Sequence, residues 1–138
     1  MLSGNATIAN PLPASITLVR PETINGITVP PEPPPELNNA TLAGFDANGN
    51  GVRDDVERLI AKTWPSSFDD GVIVARYVGM LFTQDGSTID PVLDKKAFCI
   101  ALQRKIDDKA LSLAMINTDQ RFDAYMQHVG FAKTWGCN

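Results

Sequence analysis

Long apolar runs, histidine and cysteine are all scarce in this 138-residue chain. Its longest apolar stretch, Val72 to Phe82, is interrupted by Arg76 and falls short of the roughly 20 residues needed to cross a bilayer, so no membrane span is expected. A single histidine, His128, and two cysteines without CxxC spacing leave no zinc motif. The serine-hydrolase elbow, phosphate loop and dinucleotide glycine motif are also missing. No catalytic residue or organic cofactor is assigned, and the chain is not expected to be an enzyme. Basic residues are outnumbered, 12 Lys and Arg against 16 Asp and Glu, for a net charge of −4 and a pI near 4.8. That balance excludes nucleic acid and anionic membranes as main partners and suits a bound cation. Disorder throughout is excluded by 43% hydrophobic and 20% charged residues, and the length is that of one core. No repeat of 20–50 residues is found.

What the chain does contain is unevenly spread. Eight of the ten prolines lie in residues 1–40, expected as a Pro-rich extended arm or linker ahead of a helical calcium-binding domain over 41–138. The run Val29 to Glu36 is expected to be non-helical, a stiff polyproline II spacer. Asn25-Gly26 between short β-branched runs has the chemistry of a type I′ hairpin; the alternative is an extended arm lying over the globular part.

From residue 53 the apolar period becomes helical. Val56, Leu59, Ile60 and Trp64 make one face of a helix over 54–64 that Pro65 stops. Ser67 and Asp70 resemble a cap for a central buried helix over 72–82. Gln84 to Ser87 is a turn, and Asp90-Pro91 starts another helix. That helix carries Leu93, Ala97, Ile100 and Ala101 on one face and Cys99, Leu102 and Ile106 on its neighbour. It either runs on through Asp107-Asp108 to Ile116 or breaks there. Asn117-Thr118 caps a last helix, ending near Gly130, whose Phe122, Tyr125, Met126 and Val129 share a face. The fold class expected is mainly α, a small bundle of about four helices.

One twelve-residue window carries chemistry. Residues 46–57 read Asp-Ala-Asn-Gly-Asn-Gly-Val-Arg-Asp-Asp-Val-Glu, fitting every specified position of the calcium-loop pattern D-x-[DN]-x-[DN]-G-x5-E. Asp46, Asn48 and Asn50 occupy positions 1, 3 and 5, Gly51 the turn, Val52 the carbonyl position, Asp54 position 9 and Glu57 position 12. Calcium wants six to eight oxygens at about 2.3–2.6 Å, and alternate residues of a tight loop aim theirs at one centre. Glu57, one turn into the helix, offers both carboxylate oxygens. Three carboxylates with two Asn ligands point to moderate affinity, about 10⁻⁵ to 10⁻³ M, and magnesium fits poorly. The alternative is an Asx-rich turn that caps a helix. Two departures from an EF-hand stand out: prolines 33–35 leave an entering helix little room, and position 8, usually apolar for pairing with a second loop, is Arg53.

The loop resembles the calcium loops of dockerin modules, EF-hand proteins and thrombospondin type 3-like repeats. More widely, Thr41 to Glu57 followed by Ile60 resembles uncharacterised secreted or lipoprotein-like proteins of Gram-negative bacteria, with a Pro-rich start, a D-x-[DN]-x-[DN]-G-V-R-D-D-V loop and a helical remainder. The resemblance implies a secreted or periplasmic location, with a lipid anchor possible in the native form, and no particular activity.

Cys99 and Cys137 are expected to pair, tying the tail to a helix and implying an oxidising compartment; the alternative is two free thiols. A Cys99–His128 nucleophilic pair is conceivable, and a partly exposed helix histidine is the plainer reading. Asp69/Asp70 and Asp107/Asp108 read as caps or solvated faces. Asn5-Ala-Thr7 and Asn39-Ala-Thr41 match the glycosylation sequon. Met1-Leu-Ser-Gly has neither a basic start nor an apolar core, so an exported protein is expected to be in mature form here. Calcium is thus the expected ligand, with protein interaction or self-association through the arm or an apolar helix face as the alternative role.

Overall fold

Asn25 and Gly26, at φ +51° and +82°, reverse the chain between β1 (Glu22–Ile24) and β2 (Ile27–Val29) in the computed structural model, which describes residues 20–83 and 91–128. Two consecutive positive φ values are what a type I′ hairpin needs, and the strands pair antiparallel as Glu22–Val29, Thr23–Thr28 and Ile24–Ile27. Of the two expectations for this segment, the hairpin forms. It lies on α2 (Asp54–Thr63): Asn25 Nδ2 donates to the Ala61 carbonyl at 3.1 Å, and Val29 is buried. Arg58 of α2 holds Glu22, Glu32 and the Pro30 carbonyl.

The proline run differs from expectation at its end. One helical turn, α1 (Pro35–Asn38), begins inside the stretch read as non-helical. Proline is tolerated there because the N–H it lacks has no acceptor in a helix's first turn, and its fixed φ already suits the helix.

Helix α2 follows its predicted period, burying Val56, Ile60 and Ala61, and gives way at Pro65 to a 3-10 turn (Pro65–Ser67). The next helix, α3 (Phe68–Thr83), starts directly after Ser67, the expected cap position, with the 3-10 turn feeding into it, and contains the apolar segment 72–82. It packs against α2, α4 (Pro91–Leu102), α5 (Asp108–Met115) and α6 (Asp119–His128), the central position its apolar surface predicts. Gly71 permits the close α2–α3 approach: a Cβ there would stand 2.5 Å from Ile60 Cγ2.

The open question at Asp107 resolves as a break. Arg104 adopts φ +62°, and Asp107 caps α5 by accepting from the Ala110 N–H at 3.0 Å. Thr118 Oγ1 likewise accepts from the Arg121 N–H at the start of α6. The break gives five helices of eight residues or more among the described residues, rather than about four.

Two apolar faces are corrected. Phe122 and Met126, expected in the core, are 49% and 54% exposed, while Arg121 and Ala124 of the same helix are buried. The hydrogen bonds of Arg121, described below, hold α6 with that side inward, so Phe122 and Met126 turn out while Tyr125 stays packed against the core. Leu102 is also exposed; Ile106 is buried, but in the turn beyond the end of α4.

The core gathers Val52, Val56, Ile60, Val74, Val78, Ile100, Ile106, Leu111 and Met115. The chain is mainly helical, and among the described residues no helix is long and apolar enough to cross a membrane. The 84–87 turn, the Asp90 cap, the His128 side chain, Val129, Gly130 and Cys137 lie outside the described part, as do the Cys99–Cys137 and Cys99–His128 expectations that depend on them.

Candidate metal centre

Residues 46–53 form a closed loop between α1 and α2, and residues 54–57 are the first turn of α2. The Asp54 N–H donates to the Phe45 carbonyl at 2.9 Å, joining entry and exit. Gly49 and Gly51, at φ +67° and +85°, supply the two left-handed residues that fold the chain tightly enough to bring alternate side chains together. Val52, next in the chain, is 1% exposed and belongs to the core, so the loop is pinned to the protein body.

The carboxylates are partly gathered. Asp46 accepts from the Asn50 and Gly51 N–H groups at 3.3 and 2.9 Å. Glu57 accepts from Asn48 Nδ2 with both oxygens at 3.2 Å and from Asn50 Nδ2 at 2.8 Å. Asn50 thereby touches Asp46 with its backbone and Glu57 with its side chain. Asp54 accepts from the Ala47 N–H across the loop at 3.0 and 3.1 Å. Val52 donates its N–H to Asn50 Oδ1 at 2.9 Å. Among the described residues, no group of three or more His, Cys, Asp or Glu side chains is gathered as a metal site. Any metal here must draw oxygens from Asn side chains and a backbone carbonyl as well.

The electrostatics are unfavourable for the loop alone. Asp54 and Glu57 are 1% and 3% exposed. Burial, then the neighbouring charges of Asp46, Glu57 and Asp55, push the Asp54 carboxyl up to about 6 against the lowering effect of the Ala47 N–H. Glu57 is raised by burial, with Asp46 adding to it and the Asn48 and Asn50 amides opposing. Among the described residues, neither these two nor Asp46 pairs with an Arg or Lys.

Beside the loop, the opposite holds. Arg53, at position 8, is 4% exposed and pairs with Asp55 at 2.6 Å. Its remaining N–H groups donate to the Met115 and Ala114 carbonyls at 3.0 and 3.2 Å, capping the C-terminus of α5. Arg121, fully buried, donates to the backbone carbonyls of Asn38, Thr41 and Leu42 and to the side-chain oxygens of Asn39 and Asn117. Burial and Arg53 push its guanidinium down to about 10, with Asp55 opposing. Burial raises Asp55, but Arg53, Asn38 and Arg121 outweigh it and hold the carboxyl below its ordinary value. Asn38 Oδ1 accepts from the Phe45 N–H at 3.0 Å. The chain entering the loop is therefore tied to α6, and the chain leaving it to α5.

Sequence reasoning noted Arg53 as a departure and missed its role; Arg121 and Asn38 were missed altogether. Nothing in one sequence marks Arg121 as buried, since an arginine on a surface helix is the ordinary case.

Comparison with protein-family models, with curated proteins and with solved structures finds no match for this chain.

Proposed function

We propose that this is an extracytoplasmic calcium-binding protein, secreted or periplasmic, in which residues 46–57 hold one calcium ion with a structural role in a small helical bundle. The observation that carries the reading is the pair of buried carboxylates, Asp54 and Glu57, close to Asp46 and without a cationic partner among the described residues. Uncompensated buried charge is costly, and a divalent cation offsets it directly. Asp46, Asn48, Asn50, Asp54, Glu57 and the Val52 carbonyl would supply the oxygens. The Asn48 and Asn50 amides, which now turn Nδ2 to Glu57, would turn Oδ1 to the ion. Arg53 in place of an apolar residue at position 8 supports a single loop docked on its own bundle, not one paired with a second loop.

Calorimetric titration of chelator-stripped protein with calcium tests this. One-site binding, lost in Asp46→Ala and in Glu57→Gln, is expected; absence of heat in the wild type would reduce the window to a helix-capping turn.

Exposed Phe122 and Met126, one turn apart on α6, favour a second reading as a protein-interaction or self-association module. A light-scattering mass that rises with concentration supports self-association, and a constant monomer mass contradicts it.

A further inference from the structure

A cavity of about 380 Å³ lies between the loop and the helices, walled by Leu42, Gly79, Met80 and Met115, with Asp46 and Arg76 at its polar side. Its size is at the lower end of the range for small-molecule sites, and its chemistry is that of such a site: mostly apolar walls with a few placed polar groups.

The cations at its edge differ in a way that matters. Arg53 also reaches the cavity, but Asp55 and the end of α5 occupy its guanidinium. Arg76 rises from the central helix and donates Nε to the Asn50 carbonyl at 3.0 Å. Among the described residues no carboxylate pairs with it. It is half-buried, and it is the one charge interrupting the apolar run 72–82. A guanidinium whose Nη donors have no partner among the described residues, beside an apolar hollow, matches a planar anionic head on a short apolar body.

We propose that this cavity binds a small amphipathic carboxylate, its head on Arg76 and its tail against Met80 and Met115. The proposal rests on the calcium reading for one further feature. Asp46 belongs to both sites, so its charge opposes the anion until calcium neutralises it; calcium and carboxylate then favour one another, by the same factor in each direction.

Hexanoate serves as the probe, titrated calorimetrically into full-length protein with calcium and again with chelator. Saturable one-site binding to calcium-loaded protein, weaker for hexanol, supports the assignment. Arg76→Gln should weaken hexanoate by about tenfold or more, with Arg76→Lys falling between, while unchanged far-UV circular dichroism and cooperative melting of both variants show that they are folded. No saturable hexanoate binding, or equal affinity in Arg76→Gln, overturns it even where calcium binds normally. Calcium should tighten hexanoate about fivefold or more. Hexanoate binding that is identical with calcium and chelator overturns the coupling and counts against the calcium reading, while leaving the cavity assignment supported.

Discussion

Arg53 reaches from the loop to the end of α5, its Nη1 donating to the Met115 carbonyl at 3.0 Å across 62 residues of sequence. The same side chain pairs with Asp55, so removing it leaves a half-buried carboxylate and two helix-terminal carbonyls without their donor. Arg53→Met should cost about 3 kcal/mol, read as a fall in the denaturation midpoint at unchanged slope. A loss below about 1 kcal/mol would show that the contact is ornamental.

Arg121 carries a larger load. Five acceptors from residues 38–42 and Asn117 depend on one guanidinium. Arg121→Met, matched in bulk but not in donors, should destabilise by about 3–5 kcal/mol. Amide exchange should speed up most at Gly44 and Phe45, whose segment the guanidinium anchors.

These two arginines also mark the limit of what the sequence disclosed. The hairpin at Asn25-Gly26 and α2 were legible because turn chemistry and apolar period act locally. The twelve-residue window was legible because a loop places its alternate side chains by covalent spacing alone. The buried face of α6 was not legible. Phe122 and Met126 outrank Arg121 by hydrophobicity, and only the carbonyls of residues 38–42, some 80 positions away, reverse that ranking. The α4–α5 break was equally balanced in sequence, until a left-handed Arg104 and the Asp107 cap decided it.

Acidity should stabilise the calcium-free protein over a defined window. Asp54 titrates near 6 when folded against an ordinary 3.8, and Glu57 is shifted the same way, so the folded state binds protons more tightly than the unfolded one. Stability tied to these groups is full below the ordinary carboxylate range and is lost as pH rises through the raised value. Lowering pH from about 7 to about 5 should therefore stabilise the protein in chelator by about 1 kcal/mol through Asp54, read as a rise in melting temperature. Asp55, shifted down, gives way only at still lower pH. Calcium affinity should fall over the same interval, because protons and the ion compete for the same oxygens.

Gly44 sits at φ +73°, and a Cβ there would lie 2.2 Å from Arg53 Cδ. Gly44→Ala combines backbone strain with displacement of that arginine and should cost about 2 kcal/mol. The double variant with Arg53→Met should cost less than the sum of the single changes; strict additivity would contradict the contact.

The central claim, that calcium is a structural part of the fold, is tested most directly by melting the protein in calcium and in chelator at neutral pH. At a hundredfold excess over the dissociation constant, the ion should add about 2.7 kcal/mol, raising the melting temperature by roughly 10 °C, with no such rise in Asp46→Ala. Superimposable melting curves for the wild type under the two conditions would contradict it.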